Sequence, residues 1–61
     1  MPKVYMERID EPTPNGGSYS IAYYSDGEGN AMPKEEATHI EIVEFGTDDE
    51  QIMRTYGRTG K

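Results

Sequence analysis

His39 and Glu41 stand two residues apart in the stretch THIEIVEF. On an extended strand that spacing puts both side chains on one face. An imidazole and a carboxylate there could form part of a metal shell, but zinc usually takes about four ligands drawn from His, Cys and carboxylate. The chain has no cysteine and no second histidine, so only acids could complete the set. We expect no metal and no cofactor. As a general base His39 would act alone. A Cys–His pair is impossible, and Ser18, Ser20 and Ser25 lie in no nucleophile-elbow motif that would activate a hydroxyl. We expect no enzyme.

Asp26, Glu28 and Asn30 in DGEGN alternate like the oxygen ligands of a calcium loop. The match fails downstream, because Ala31 stands where the loop glycine belongs and Ala37 where the bidentate glutamate belongs. Gly27 and Gly29 are not followed by the Gly-Lys-Ser/Thr of a phosphate loop, which excludes that mode of nucleotide binding. The segment reads as a turn with acidic solvation.

Charge is the larger signal. Twelve acids against six Lys and Arg give a net charge of -6. Residues 1–9 sum to +1, residues 10–50 to -10 and residues 51–61 to +3. Acid-rich surfaces attract basic partners. The first functional expectation is therefore a non-enzymatic interaction module, an inhibitor or regulator that offers an acidic, tyrosine-bearing surface to a basic protein. Glu35, Glu36, Glu41, Glu44, Asp48, Asp49 and Glu50 would carry the charge. Tyr19, Tyr23 and Tyr24 would carry the apolar contact. Such a complex weakens steeply with salt.

The alternative is a nucleic-acid-binding module. Arg8, Arg54, Arg58 and Lys61 would meet phosphate, and exposed tyrosines would stack on bases. It requires the basic residues on one sheet face, apart from the acids. The acidic balance argues against it, since nucleic-acid affinity comes chiefly from phosphate neutralisation.

Four runs must position these residues: 3–9, 18–24, 39–45 and 51–56. Each is rich in β-branched or aromatic residues with approximate period two. Between them lie turn-rich segments, DEPTPNGG at 10–17, SDGEGN at 25–30 and GTDDE at 46–50. Prolines exclude helix and central strand in the first. Asn15-Gly16 marks a tight turn. Residues 33–37, PKEEA, open with proline and two acids, which favours a helix start of one or two turns. Sequential strands usually neighbour one another. The expectation is thus a mainly β chain, a four-stranded antiparallel meander with one short helical turn before the third strand. Residues 1–57 would form the domain, and residues 58–61 a flexible basic tail.

The third run breaks alternation. Ile40 and Ile42 share one face, Val43 and Phe45 the other. Either a β-bulge sits near Ile42 and Val43, or both faces of that strand are partly covered.

Sixty-one residues leave little core. About 6,000 Å² is buried on folding at this mass, giving about 90 kcal/mol at ~25 cal/mol per Å² of its apolar part. Chain ordering costs about the same, at ~1.5 kcal/mol per residue. So thin a margin favours a partner, and a homodimer is one expected form. The polar N-terminus is no signal peptide and no apolar run is long enough to span a bilayer. We expect no membrane partner and a soluble, cytoplasmic protein.

Overall fold

The computed structural model describes residues 2–59. Four strands form one antiparallel sheet, β1 (Met6–Ile9), β2 (Tyr19–Ser25), β3 (His39–Phe45) and β4 (Gln51–Arg58). The spatial order is β1-β2-β3-β4, the expected meander.

Local chemistry sets the ends. β1 begins later than expected. The Val4 carbonyl accepts from the Lys34 N–H at 2.7 Å and that of Tyr5 from the Tyr24 N–H at 3.1 Å. β4 runs past Tyr56 to Arg58, and Thr59 is held as well. Its N–H donates to the Thr38 carbonyl at 3.1 Å and its hydroxyl to the Ala37 carbonyl at 2.6 Å. Arg58 is therefore a strand residue, not part of a tail. Lys61, the other end of the expected tail, lies outside the described residues.

Residues 33–37 make a single turn. The Pro33 carbonyl accepts from the N–H groups of both Glu36 and Ala37, each at 2.9 Å. The turn goes no further because Ala37 and Thr38 are drawn into the sheet end, where the Thr38 N–H donates to the Ser25 carbonyl. No helix forms among the described residues.

The register assigns faces, since antiparallel partners share one. Ser20, Ala22 and Tyr24 of β2 share a face with Ile40, Ile42 and Glu44 of β3. Residues 31–38 fold across it. Ala22, Tyr24 and Ala37 form the core, and Met32, Ile40 and Ile42 pack against them. The opposite face carries Met6 and Arg8, Tyr19, Ile21 and Tyr23, His39, Glu41, Val43 and Phe45, then Arg54, Tyr56 and Arg58. Among the described residues no segment crosses the middle of that face; the 25–30 turn borders it at His39, and Val43 at its centre is buried between its neighbours.

The irregular pattern of β3 has its explanation here. The strand is central in the sheet, so residues on both of its faces are at least half-buried. A bulge is present, but between Glu44 and Phe45 rather than at Ile42 and Val43; Ile52 is the unpaired residue opposite. The accessible surface is 4412 Å², about a tenth above the ~4,000 Å² expected for this mass.

Candidate interaction face

The two ends of the uncovered face differ. At the end near the β3–β4 turn the side chains satisfy one another. The Tyr19 and Phe45 rings stack at 5.2 Å, and the Arg8 guanidinium lies 4.0 Å from the Tyr19 centroid. Arg8 also pairs with Asp10 at 2.7 Å. The Tyr19 hydroxyl donates to Asp49 at 2.6 Å, which raises the tyrosine pKa.

The other end is open. Met6 is 52% exposed, Tyr23 36% and Tyr56 70%. With Tyr5, His39 and Arg58 they line an open cleft of about 690 Å³. One wall is the 25–30 turn. Gly27 lies against the His39 ring at φ +89°, and a Cβ there would stand 2.6 Å from Cε1 of the imidazole. Only glycine meets both conditions at that position. The turn is built by Asp26. Its carboxylate accepts from the N–H groups of Glu28 and Asn30 and from the Asn30 side-chain amide. These bonds, the Asn30 amide foremost, hold its pKa below the ordinary value. The carboxylate with the best calcium-loop spacing is thus committed to the turn itself. Among the described residues no three His, Asp or Glu side chains converge as a metal site.

Arg54 crosses the middle of the face, 3.5 Å from Glu41. The Tyr56 hydroxyl and then Glu41 raise its pKa further. Glu41 is the one acid the strands place on this face, and the spacing argument that set it beside His39 is upheld by the register. Its carboxylate turns to Arg54. Among the described residues Arg58 has no ion pair, and its side chain no hydrogen bond.

The residues expected to form one acidic, tyrosine-bearing surface are dispersed. Tyr19 and Tyr23 share the open face, but Tyr24 points the other way. It is 8% exposed, and its hydroxyl donates to Glu7 at 2.8 Å. Burial and then Glu7 raise its pKa. Glu44 is 5% exposed and accepts from the backbone and side-chain N–H groups of Asn15. Thr13 and Asn15 lower its pKa. It closes the 10–17 loop onto the covered face. Glu36 pairs with Lys3 at 3.3 Å. Glu35 and Glu36 precede β3, whereas Asp48, Asp49 and Glu50 follow it. A seven-residue strand keeps the two groups apart by about 20 Å at ~3.3 Å per residue.

The runner-up set fares differently. Arg8, Arg54 and Arg58 share one face with Tyr19, Tyr23 and Tyr56. The alternative reading joins these arginines to exposed tyrosines; what it does not contain is Met6, or which tyrosines stand beside them. The available signal was parity along the meander, and the bulge at Ile52 interrupts it between β3 and β4.

No helix among the described residues is long and apolar enough to cross a membrane. The chain matches no protein-family model, and it matches no curated protein and no solved structure.

Proposed function

We propose that this chain is a non-enzymatic protein-interaction module that binds through the uncovered face of its sheet. The observation that carries the reading is the make-up of that face. Tyrosine, methionine and arginine are the side chains enriched at protein interfaces, and lysine and glutamate are depleted there. The strands give this face Tyr19, Tyr23, Tyr56, Met6 and three arginines, with no lysine and Glu41 as their one acid, while Asp10 and Asp49 reach its far end from loops and are engaged by Arg8 and Tyr19. The unpaired Arg58 beside the cleft suits a partner that brings a carboxylate next to an apolar side chain. The acids serve solubility and internal closure, so the partner for this face is acidic or neutral rather than basic.

The test is a comparison of baits in nuclease-treated lysate. Wild type is set beside a Tyr23→Ala/Tyr56→Ala/Arg58→Glu variant and a Glu35→Gln/Glu36→Gln variant. Truncating a central Tyr or Arg typically costs ~1–2 kcal/mol of binding, about 5–30-fold. Partners should therefore vanish with the first variant and persist with the second. Loss confined to the acid variant would return the reading to an acidic surface for a basic partner. Capture abolished by added single-stranded oligonucleotide would mean that the arginine–tyrosine face takes nucleic acid instead.

A further inference from the structure

Among the described residues the outer edge of β4 is the longer of the sheet's two free edges. All eight residues of β4 are exposed, against a four-residue β1 at the opposite edge. The Thr59 N–H points to Thr38, which continues the register in which His39 faces Arg58. Backbone groups alternate in direction along an antiparallel strand. Those of Gly57 and Thr55 therefore point to β3, and those of Arg58, Tyr56 and Arg54 point outward. Among the described residues no hydrogen bond reaches these outward groups. Such an edge is a template for another strand.

We infer that two copies of this chain pair through β4, antiparallel, about a two-fold axis at Thr55. The pairing rests on the edge backbone, and only the choice of register draws on Arg54 and Tyr56 of the uncovered face. Only registers that set outward groups against outward groups can form hydrogen bonds. An axis at Arg54 opposes Arg54 with itself. An axis at Tyr56 opposes Arg54 with Arg58 twice. An axis at Gly57 overlaps only residues 56–58. An axis at Thr55 aligns residues 52–58 of both copies and sets Arg54 opposite Tyr56 at two equivalent places. Arginine over a tyrosine ring is attractive, and like charges directly opposite are not. Arginines on an edge normally deter pairing. Here Arg54 is already partnered across the sheet by Glu41 at 3.5 Å, so the deterrent is weakened. The bulge at Ile52 leaves residues 53–58 as the regular part of the strand, and the central Arg54–Tyr56 pairs of this register lie within it. The product is one continuous eight-stranded sheet with both uncovered faces on the same side.

The axis makes a sharp prediction. Thr55 would face its own copy as a non-hydrogen-bonded pair, with Cα atoms about 4.5 Å apart, within the range a disulfide spans. Met53 would lie about 14 Å from its copy, four residues along at ~3.4 Å each. The chain has no native cysteine. Under mild oxidation Thr55→Cys should run as a covalent dimer of twice 6.9 kDa, and Met53→Cys should stay monomeric. Cross-linking of both, or of neither, overturns the inference. A second measurement is independent of cysteine chemistry. Sedimentation of wild type should show a reversible dimer, and Tyr56→Pro, which removes an outward N–H that the sheet does not use, should raise its dissociation constant at least about tenfold. A wild type that stays monomeric up to millimolar concentration also overturns it. Thr55→Cys and Met53→Cys leave every residue of the uncovered face in place, so on the cross-linking result the two readings fail separately.

Discussion

Tyr23 and Tyr24 are adjacent in the chain and lie on opposite faces of β2, one 36% exposed and the other 8%. The pleat alone produces this, and it gives the two residues different work. Tyr24 is the largest side chain in the core and covers Ala22 and Ala37. Truncating a buried aromatic residue costs about 3–5 kcal/mol, comparable with the whole stability of so small a domain. Tyr24→Ala should therefore be unfolded at 25 °C by circular dichroism. Tyr24→Phe, which loses only the bond to Glu7, should cost about 1 kcal/mol. Tyr23→Ala should melt within a few degrees of wild type. Equal melting of the two alanine variants would show that the covered face is not the core.

Much of this fold is legible in the sequence. The four strands follow from β-branched and aromatic runs, and the meander from short turn-rich connections. β3 is predicted to the residue because nothing competes with its apolar pattern. The ends of β1 and β4 are not, because they depend on Lys34 and Thr38, which reach the sheet only after residues 31–38 have folded over. The site is less legible still. Glu44 looks like a surface acid until Asn15 is brought to it from 29 residues away. Arg54 and Tyr23 are joined only by the register of two strand pairs, which composition does not encode.

The carboxylates also set the acid limb of stability. Lys34 and then the Tyr24 hydroxyl lower the pKa of Glu7. The Asn30 amide does so for Asp26, and Thr13 with Asn15 for Glu44. Each group binds protons more weakly folded than unfolded. Its contribution is full above the ordinary value, 3.8 for Asp and 4.5 for Glu, and is lost as pH falls through the lowered one. At the other limb, Glu7 raises Lys34, and burial with Glu7 raises Tyr24. Their contribution is full below about pH 10 and declines above it. The melting temperature should be level between about pH 5 and 10 and fall on both sides. Glu44→Gln should lower the plateau and make the acid limb shallower. A melting temperature unchanged down to pH 3 would contradict the assigned partners.

Asp49 combines two roles that substitutions can separate. It is the one described residue other than glycine with positive φ, at 60°. It occupies that conformation in the turn closed by the Gly46 N–H to the Glu50 carbonyl at 2.9 Å. Its carboxylate also accepts from the Tyr19 hydroxyl at 2.6 Å. Asp49→Ala and Asp49→Gly both lose that bond, so the difference between them isolates the backbone. Left-handed geometry costs a residue with a Cβ about 1 kcal/mol that glycine avoids, and the glycine variant should be the more stable by that amount. Asn tolerates the conformation nearly as well as Asp and keeps an oxygen for the tyrosine, so Asp49→Asn should stay close to wild type. Tyr19→Phe in the Asp49→Gly background should add little, because the hydroxyl has already lost its acceptor. If alanine and glycine melt together, the turn holds Asp49 for its carboxylate alone, and the strain assigned to its backbone is absent.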